Sequence, residues 1–264
     1  MKTIRLSGSH VPTITKDGKV IDSVESWFRL APPKDGEKQW IDVRSAKELA
    51  KAWFPAAGHA KVPVELERLL SSHPDTKGSV VSTGTPEVRI PLDDFPGETR
   101  NADMVLLAER AGETLLLTIE AKADERFDMT IGEKIASAPH RSNIPSRVDH
   151  LCSALFGVTP TDNPDLKSLR YQLLHGMCAT LIAASERSAA KAVFVVHEFA
   201  TDKTDEEKRR GNHADMAAFI RTLSRGTIVS LKEGSLVGPL TVPGGKHVPA
   251  SNALYVGKIT AGQN

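Results

Sequence analysis

The sequence predicts one α/β domain, and three observations predict it. Two apolar runs, Met104–Ala108 and Leu115–Ile119, flank a short polar turn containing Ala111-Gly112, the pattern of a β-hairpin. Helical periodicity brackets that hairpin, with Leu66, Leu69 and Leu70 before it and Leu169, Leu173, Leu174, Met177, Cys178, Leu181 and Ile182 after it. A β-branched run at Ala192–Val196 then reads as a buried central strand.

Taken in order, residues 1–45 are expected to be an irregular N-terminal extension, because Gly8, Pro12, Gly18, Pro32, Pro33 and Gly36 interrupt every run. Residues 46–264 then make a single domain, since neither a repeat nor a linker divides them. Ser45 is placed to N-cap a helix over Ala46–Trp53, with Glu48 completing a capping box. Pro63 suits the first turn of a helix over Val64–Ser71, whose polar side carries Glu65, Glu67 and Arg68. A turn-rich stretch at His73–Thr85 leads to a short strand around Glu87–Leu92 and a loop at Asp93–Thr99. Beyond the hairpin, the pattern predicts a helix over Ser146–Phe156, the longest helix over Leu166–Glu186, an amphipathic helix over Ala214–Leu223, and strands at Thr227–Leu231 and Ala253–Ile259. The mixed-sign run Asp202–Arg210 reads as a solvated loop or helix end.

Composition narrows the function. The 264 residues are 40% hydrophobic and 25% charged, ordinary values for a soluble globular chain. The net charge of +1 gives no global basic footprint, so a nucleic-acid role has to rest on a local patch. Cys152 and Cys178 are the two cysteines and form no CxxC pair, which argues against a zinc site or a disulfide framework. A signal-peptide core and any apolar run of membrane-spanning length are missing, so a cytoplasmic location without a membrane partner is expected. The sequence holds no GxSxG, GxxxxGK[ST], HExxH or post-strand GxGxxG pattern, and its nine histidines are scattered.

The chemistry lies at the open end of the hairpin. With the turn centred between Ala111 and Gly112, residues opposite each other have numbers summing to 223. Asp103 then faces Glu120 and Asn101 faces Lys122, and the period of two puts Asp103, Glu120 and Lys122 on one face. A loop of odd length would send one carboxylate to the other face. Mg²⁺ asks for hard oxygen ligands, and Asp103, Glu120 and the carbonyl of Ala121 can supply them. Lys122 can orient the attacking water or balance charge on the phosphorane. The triplet alone is weak: Asp or Glu, any residue, then Lys occurs five times, at 17–19, 75–77, 120–122, 165–167 and 206–208. Only the copy at 120–122 ends an apolar strand opposite a second carboxylate.

With Asp103 at the start of one strand and Glu120-Ala121-Lys122 at the end of the next, the chain resembles the PD-(D/E)xK nucleases, the superfamily with the restriction-endonuclease-like fold. The resemblance covers roughly residues 60–200, and the closing stretch Leu254-Tyr255-Val256-Gly257-Lys258 resembles an uncharacterised bacterial branch of that fold. Ala102 stands where the family name has proline, a departure the family tolerates. The resemblance implies a mixed central β-sheet flanked by helices, dependence on Mg²⁺ (with Mn²⁺ as a substitute), and hydrolysis of nucleic acid, DNA being the expected substrate. It makes Asp103, Glu120 and Lys122 the expected catalytic residues, with Asp103, Glu120 and Ala121 on the metal. Glu67 or Glu65 would be the helix glutamate, and Gln172 and Arg170 on the following helix are candidates to touch the site or a phosphate.

Blander roles stand beside these. Glu65 and Glu67 suit a solvated helix face, His175 a hydrogen-bonded histidine, and Arg100, Lys134, Arg141 and Arg147 either phosphate contacts or plain surface. Two further readings stay open: a catalytically silent nuclease-fold protein that binds a protein or nucleic-acid partner, and an accessory subunit of a bacterial defence or toxin system. Many relatives of the resembled fold act as dimers, so the resemblance also implies a homodimer or a protein partner.

Overall fold

The hairpin read from residues 103–122 lies in the middle of a mixed sheet. The computed structural model describes residues 11–56, 58–96 and 99–262. Among them the strands are β1 (Thr13–Lys16), β2 (Lys19–Ile21), β3 (Val80–Ile90), β4 (Arg100–Arg110), β5 (Glu113–Lys122), β6 (Lys191–Phe199), β7 (Leu236–Leu240) and β8 (Ala253–Ala261). The helices are α1 (Val24–Leu30), α2 (Ser45–Trp53), α3 (Val64–Ser71), α4 (Ile131–Ala136), α5 (Ile144–Phe156), α6 (Tyr171–Glu186) and α7 (Glu206–Leu223). The sheet order is β2-β1-β3-β4-β5-β6-β8-β7.

The β4–β5 register runs from Arg110↔Glu113 to Met104↔Ile119, so opposite residues sum to 223 as the turn requires. Ala111 (φ 51°) and Gly112 (φ 86°) are both left-handed, the signature of a type I′ turn that matches the right-handed twist of its strands. β3 pairs antiparallel with β4, whereas β6 runs parallel to β5 and β8 parallel to β6. The parallel steps need long crossovers, and α4–α6 and α7 provide them.

The two faces of the sheet bury separate cores. On one, Trp27, Leu49, Trp53, Leu66 and Leu69 of α1–α3 pack on Met104, Leu106, Leu117 and Ile119. On the other, Leu151, Cys178, Leu181 and Phe219 of α5–α7 pack on Leu116, Phe194 and Val196. The protein is therefore a mixed α/β structure with helices on both sides of the sheet. The long helix α6 lies close to β6 because Gly176 faces the Phe194 ring, where a Cβ would come within 2.8 Å. One turn later Thr180 hydrogen-bonds Thr118 of β5. That seating carries Gln172, one turn before Gly176, to the end of β5.

Several expectations need correction. The N-terminal extension is not irregular over its described part: Asp17 (φ 50°) and Gly18 (φ 75°) close a hairpin, and β1 joins the sheet parallel to β3. Residues 1–10 of that extension lie outside the described residues. β3 starts seven residues earlier than expected, at Val80, and passes through Gly84 and Pro86. Gly84 lets the side chains of the neighbouring strands close over it, since a Cβ would lie 2.5 Å from the end of the Met104 side chain and 2.8 Å from that of Ile14. Ser45 is the first residue of α2 rather than its cap, and Glu48 reaches back to the Val43 amide at 2.9 Å. The run at Asp202–Arg210 supplies the first turns of α7, which exceeds α6 in length. Residues 227–231 form no strand, and the edge strand is β7 instead.

Candidate functional site

The site is built where β4 and β5 part. Their ladder ends at Met104↔Ile119. Beyond it, the Ala121 amide donates to Asp103 Oδ2 at 2.7 Å, so a carboxylate stands where the strand carbonyl would be. In an extended strand a residue's N–H and C=O leave by the same edge, which aims the Ala121 carbonyl into the same fork. Asp103 and the Glu120-Ala121-Lys122 triplet are thereby brought together.

Glu120 is 2% exposed and Lys122 5% exposed, and both charges are matched locally. Lys122 Nζ lies 2.9 Å from Glu120 Oε1, and the Arg100 guanidinium holds Glu120 Oε2. Gln172 Nε2 donates to Glu120 Oε1 at 2.5 Å, while its Oε1 accepts from the Asp128 amide at 3.3 Å. The two bonds fix the amide's orientation. The start of α6 is itself pinned, because Tyr171 donates to the Met129 carbonyl and Ile131 to the Leu169 carbonyl. The Phe127 ring lies 5.5 Å from Lys122 Nζ. Asn212 of α7 braces the segment after Lys122 through the Phe127 amide (3.1 Å) and the Glu125 carbonyl (3.0 Å).

Burial dominates the proton equilibria. It raises the Asp103 carboxyl, against the pull of Arg100 and of the Ala121 amide. It lowers the Lys122 ammonium, against Asp103 and Glu125. Glu87 of β3 is bracketed by the pairs Pro86↔Met104 and Val88↔Ala102, which set it opposite Asp103. Burial, then the charge of Asp103, pushes Glu87 up to about 7. The backbone there is left-handed (φ 52°), the Asn101 side-chain amide bonds the carboxylate, and Lys16 Nζ holds the Glu87 carbonyl at 2.8 Å. Glu87, Asp103 and Glu120 do not close into a ready three-ligand cage: no group of three or more His, Cys, Asp or Glu side chains is set to hold a metal among the described residues.

Beside the fork opens a cleft of about 750 Å³. Lys16, Lys34, Arg89 and Arg100 line it, together with the acids Glu87 and Asp128 and with Gln172 and His175. His175 is not the hydrogen-bonded histidine that its sequence context suggests: its Nδ1 is buried without a partner. Burial, reinforced by Arg100, Lys134 and Lys122, lowers its pKa well below the usual histidine range.

Other sequence candidates lie elsewhere. Glu65 sits on the opposite face of the sheet, 2.8 Å from His197 Nε2, and Glu67 is solvent-exposed. The helix glutamate is thus not brought to the fork, because α3 packs on the far core. Arg170 ties α6 to α7 through Asp215 (2.9 Å) and also reaches the Asp128 carbonyl (3.2 Å). Arg147 is a buried clamp on Asp93, at 2.6 and 3.0 Å, not a phosphate contact. Sequence reasoning misses Glu87, Asn101 and Lys16. The signal that finds Glu87 is the pairing of β3 with β4 at Val88↔Ala102.

The model of one protein family, described as a domain of unknown function (DUF6946), matches residues 20–263. No curated protein and no solved structure matches the chain. No helix of the described residues is long and apolar enough to cross a membrane.

Proposed function

The chain belongs to the DUF6946 family, and from the site it carries we propose that it is a Mg²⁺-dependent nuclease hydrolysing phosphodiester bonds, with DNA as the expected substrate. The observation that carries this reading is the meeting of Asp103 with Glu120-Ala121-Lys122 at the fork, beside a cleft lined by four cations. The strands β3-β4-β5-β6 with α6 are read as the restriction-endonuclease-like core of a PD-(D/E)xK enzyme acting in the cytoplasm. Two free, buried cysteines suit a reducing compartment.

The donor set fits the metal. Two carboxylates and a strand carbonyl are hard oxygens, and Mg²⁺ held there would take the rest of its shell from water and phosphate. Bound there, the ion supplies Lewis-acid stabilisation of the phosphoryl oxygens and a more acidic water. Asp103 and Glu120 would hold it, and Gln172 keeps Glu120 oriented. Lys122 positions the attacking water from its place at 2.9 Å from Glu120. Arg100, freed from Glu120, meets the phosphate in the cleft.

The test is cleavage of labelled single- and double-stranded DNA and RNA with Mg²⁺ or Mn²⁺. Cleavage reduced by at least about 100-fold in Lys122→Ala supports the reading. No cleavage of any substrate, or cleavage unchanged in Lys122→Ala, overturns it.

A second reading has its own observation. Arg100, Lys122 and Gln172 satisfy Glu120 by protein groups alone, as they would in a silent nuclease fold kept as a binding module or accessory subunit.

A further inference from the structure

The cleft has features that the fork itself does not use. Lys34 and Arg89 are exposed on its rim, and neither has a carboxylate partner among the described residues. Lys16, also in the lining, has its Nζ tied to two carbonyls, those of Pro86 (3.2 Å) and Glu87 (2.8 Å). Deeper in the wall, the His175 ring packs edge-on against Tyr171 at 4.8 Å and leaves Nδ1 buried without a hydrogen bond. A buried ring nitrogen with nothing to bond is costly.

We propose that this cleft receives one unpaired strand of nucleic acid, with its phosphates on Lys34, Arg89 and Arg100 and a base against His175. The inference rests on the fork being the hydrolytic centre, and it names the form in which substrate reaches it. Size is the first argument. At about 750 Å³ the cleft is on the scale of small-ligand sites. A duplex, whose major groove alone is about 12 Å wide, is too broad to enter. Composition is the second. Cations that track a backbone, joined to a ring that meets the bases, are the means by which single strands are held, and the His175 ring stands in the cleft wall. Burial and the neighbouring cations keep His175 uncharged, so it can give or accept one hydrogen bond there.

The experiment is fluorescence anisotropy with the full chain in chelator, where binding is read without hydrolysis. The probes are a short labelled single strand, as DNA and as RNA, and a blunt hairpin duplex of the same sequence. The expected result is at least about tenfold tighter binding of a single strand, of either sugar, than of the duplex. In the double variant Lys34→Glu, Arg89→Glu that affinity falls by at least about tenfold, and the slope of log affinity against log salt flattens by about 0.7 for each phosphate no longer held. Both positions are exposed, so the fold is retained, and circular dichroism checks it. Equal or tighter duplex binding, binding of neither probe, or affinity indifferent to the charge reversal overturns the proposal. Single-strand binding without metal-dependent cleavage would leave this inference standing and remove only the nuclease reading.

Discussion

Glu87 shows how burial and a neighbouring charge act on one side chain at this fork. Its carboxyl is raised to about 7, with burial the larger cause and Asp103 the second. A group whose folded pKa exceeds its unfolded value binds more protons in the folded state. Its stabilisation is therefore full below the unfolded value of 4.5 and is lost as pH rises through about 7. Chemical unfolding in chelator should accordingly show stability falling between those two pH values, by up to about 3 kcal/mol from this group. Glu87→Gln should flatten that slope and be the more stable protein at pH 8. A slope identical in the two proteins would contradict the assignment. The sequence places Glu87 at the start of a strand but hides its role for a physical reason: only the pairing of β3 with β4, a contact between distant segments, sets it opposite Asp103. Asp103, Glu120 and Lys122 are legible because one turn sets their register. Gln172 is legible only as a polar residue at the start of a long apolar helix.

At the scale of elements, two contacts place the site. The first is the β4–β5 turn. Ala111 adopts a left-handed backbone that asparagine accepts more readily, so Ala111→Asn should stabilise the protein by about 0.5–1 kcal/mol. A higher urea midpoint at unchanged m-value would show it, whereas a lower midpoint would argue against the type I′ turn. The second contact is α6 on β6. Gly176→Ala improves helix propensity, yet its methyl would meet the Phe194 ring at 2.8 Å. Overpacking should win and cost about 1–3 kcal/mol in the same measurement. It should also lower any metal-dependent activity, because Gln172 lies one turn away on the same stripe. A neutral or stabilising result would mean that α6 is not seated so tightly. The β4–β5 hairpin and the apolar helix are readable because each is a local pattern. The β1–β2 hairpin is signalled by Asp17-Gly18 but hidden among prolines and glycines. The reach of β3 depends on close approach between strands, which a single sequence does not display.

Across the whole molecule, the sheet divides the candidate residues. Helices that precede β3 cover one face and helices that follow β5 cover the other, so Gln172 reaches Glu120 while Glu65 pairs with His197 behind the sheet. No helical periodicity states which face a helix will take, and the position of the helix glutamate is illegible for that reason. The net charge of +1 likewise says nothing of a cleft that gathers Lys16, Lys34, Arg89 and Arg100 beside Glu87 and Asp128. Global composition averages away the local field that an anionic substrate would meet. The central claim is that Asp103 and Glu120 form a divalent-cation site at the parting of β4 and β5. Titration of the full chain with Mn²⁺, followed by electron paramagnetic resonance of the free ion, tests it most directly. The account predicts saturable binding of about one or two ions per chain, by the carboxylate count Mg²⁺-type sites use, abolished in Glu120→Ala with the fold intact. Absence of saturable binding to the folded protein, or binding that Glu120→Ala leaves unchanged, would contradict it.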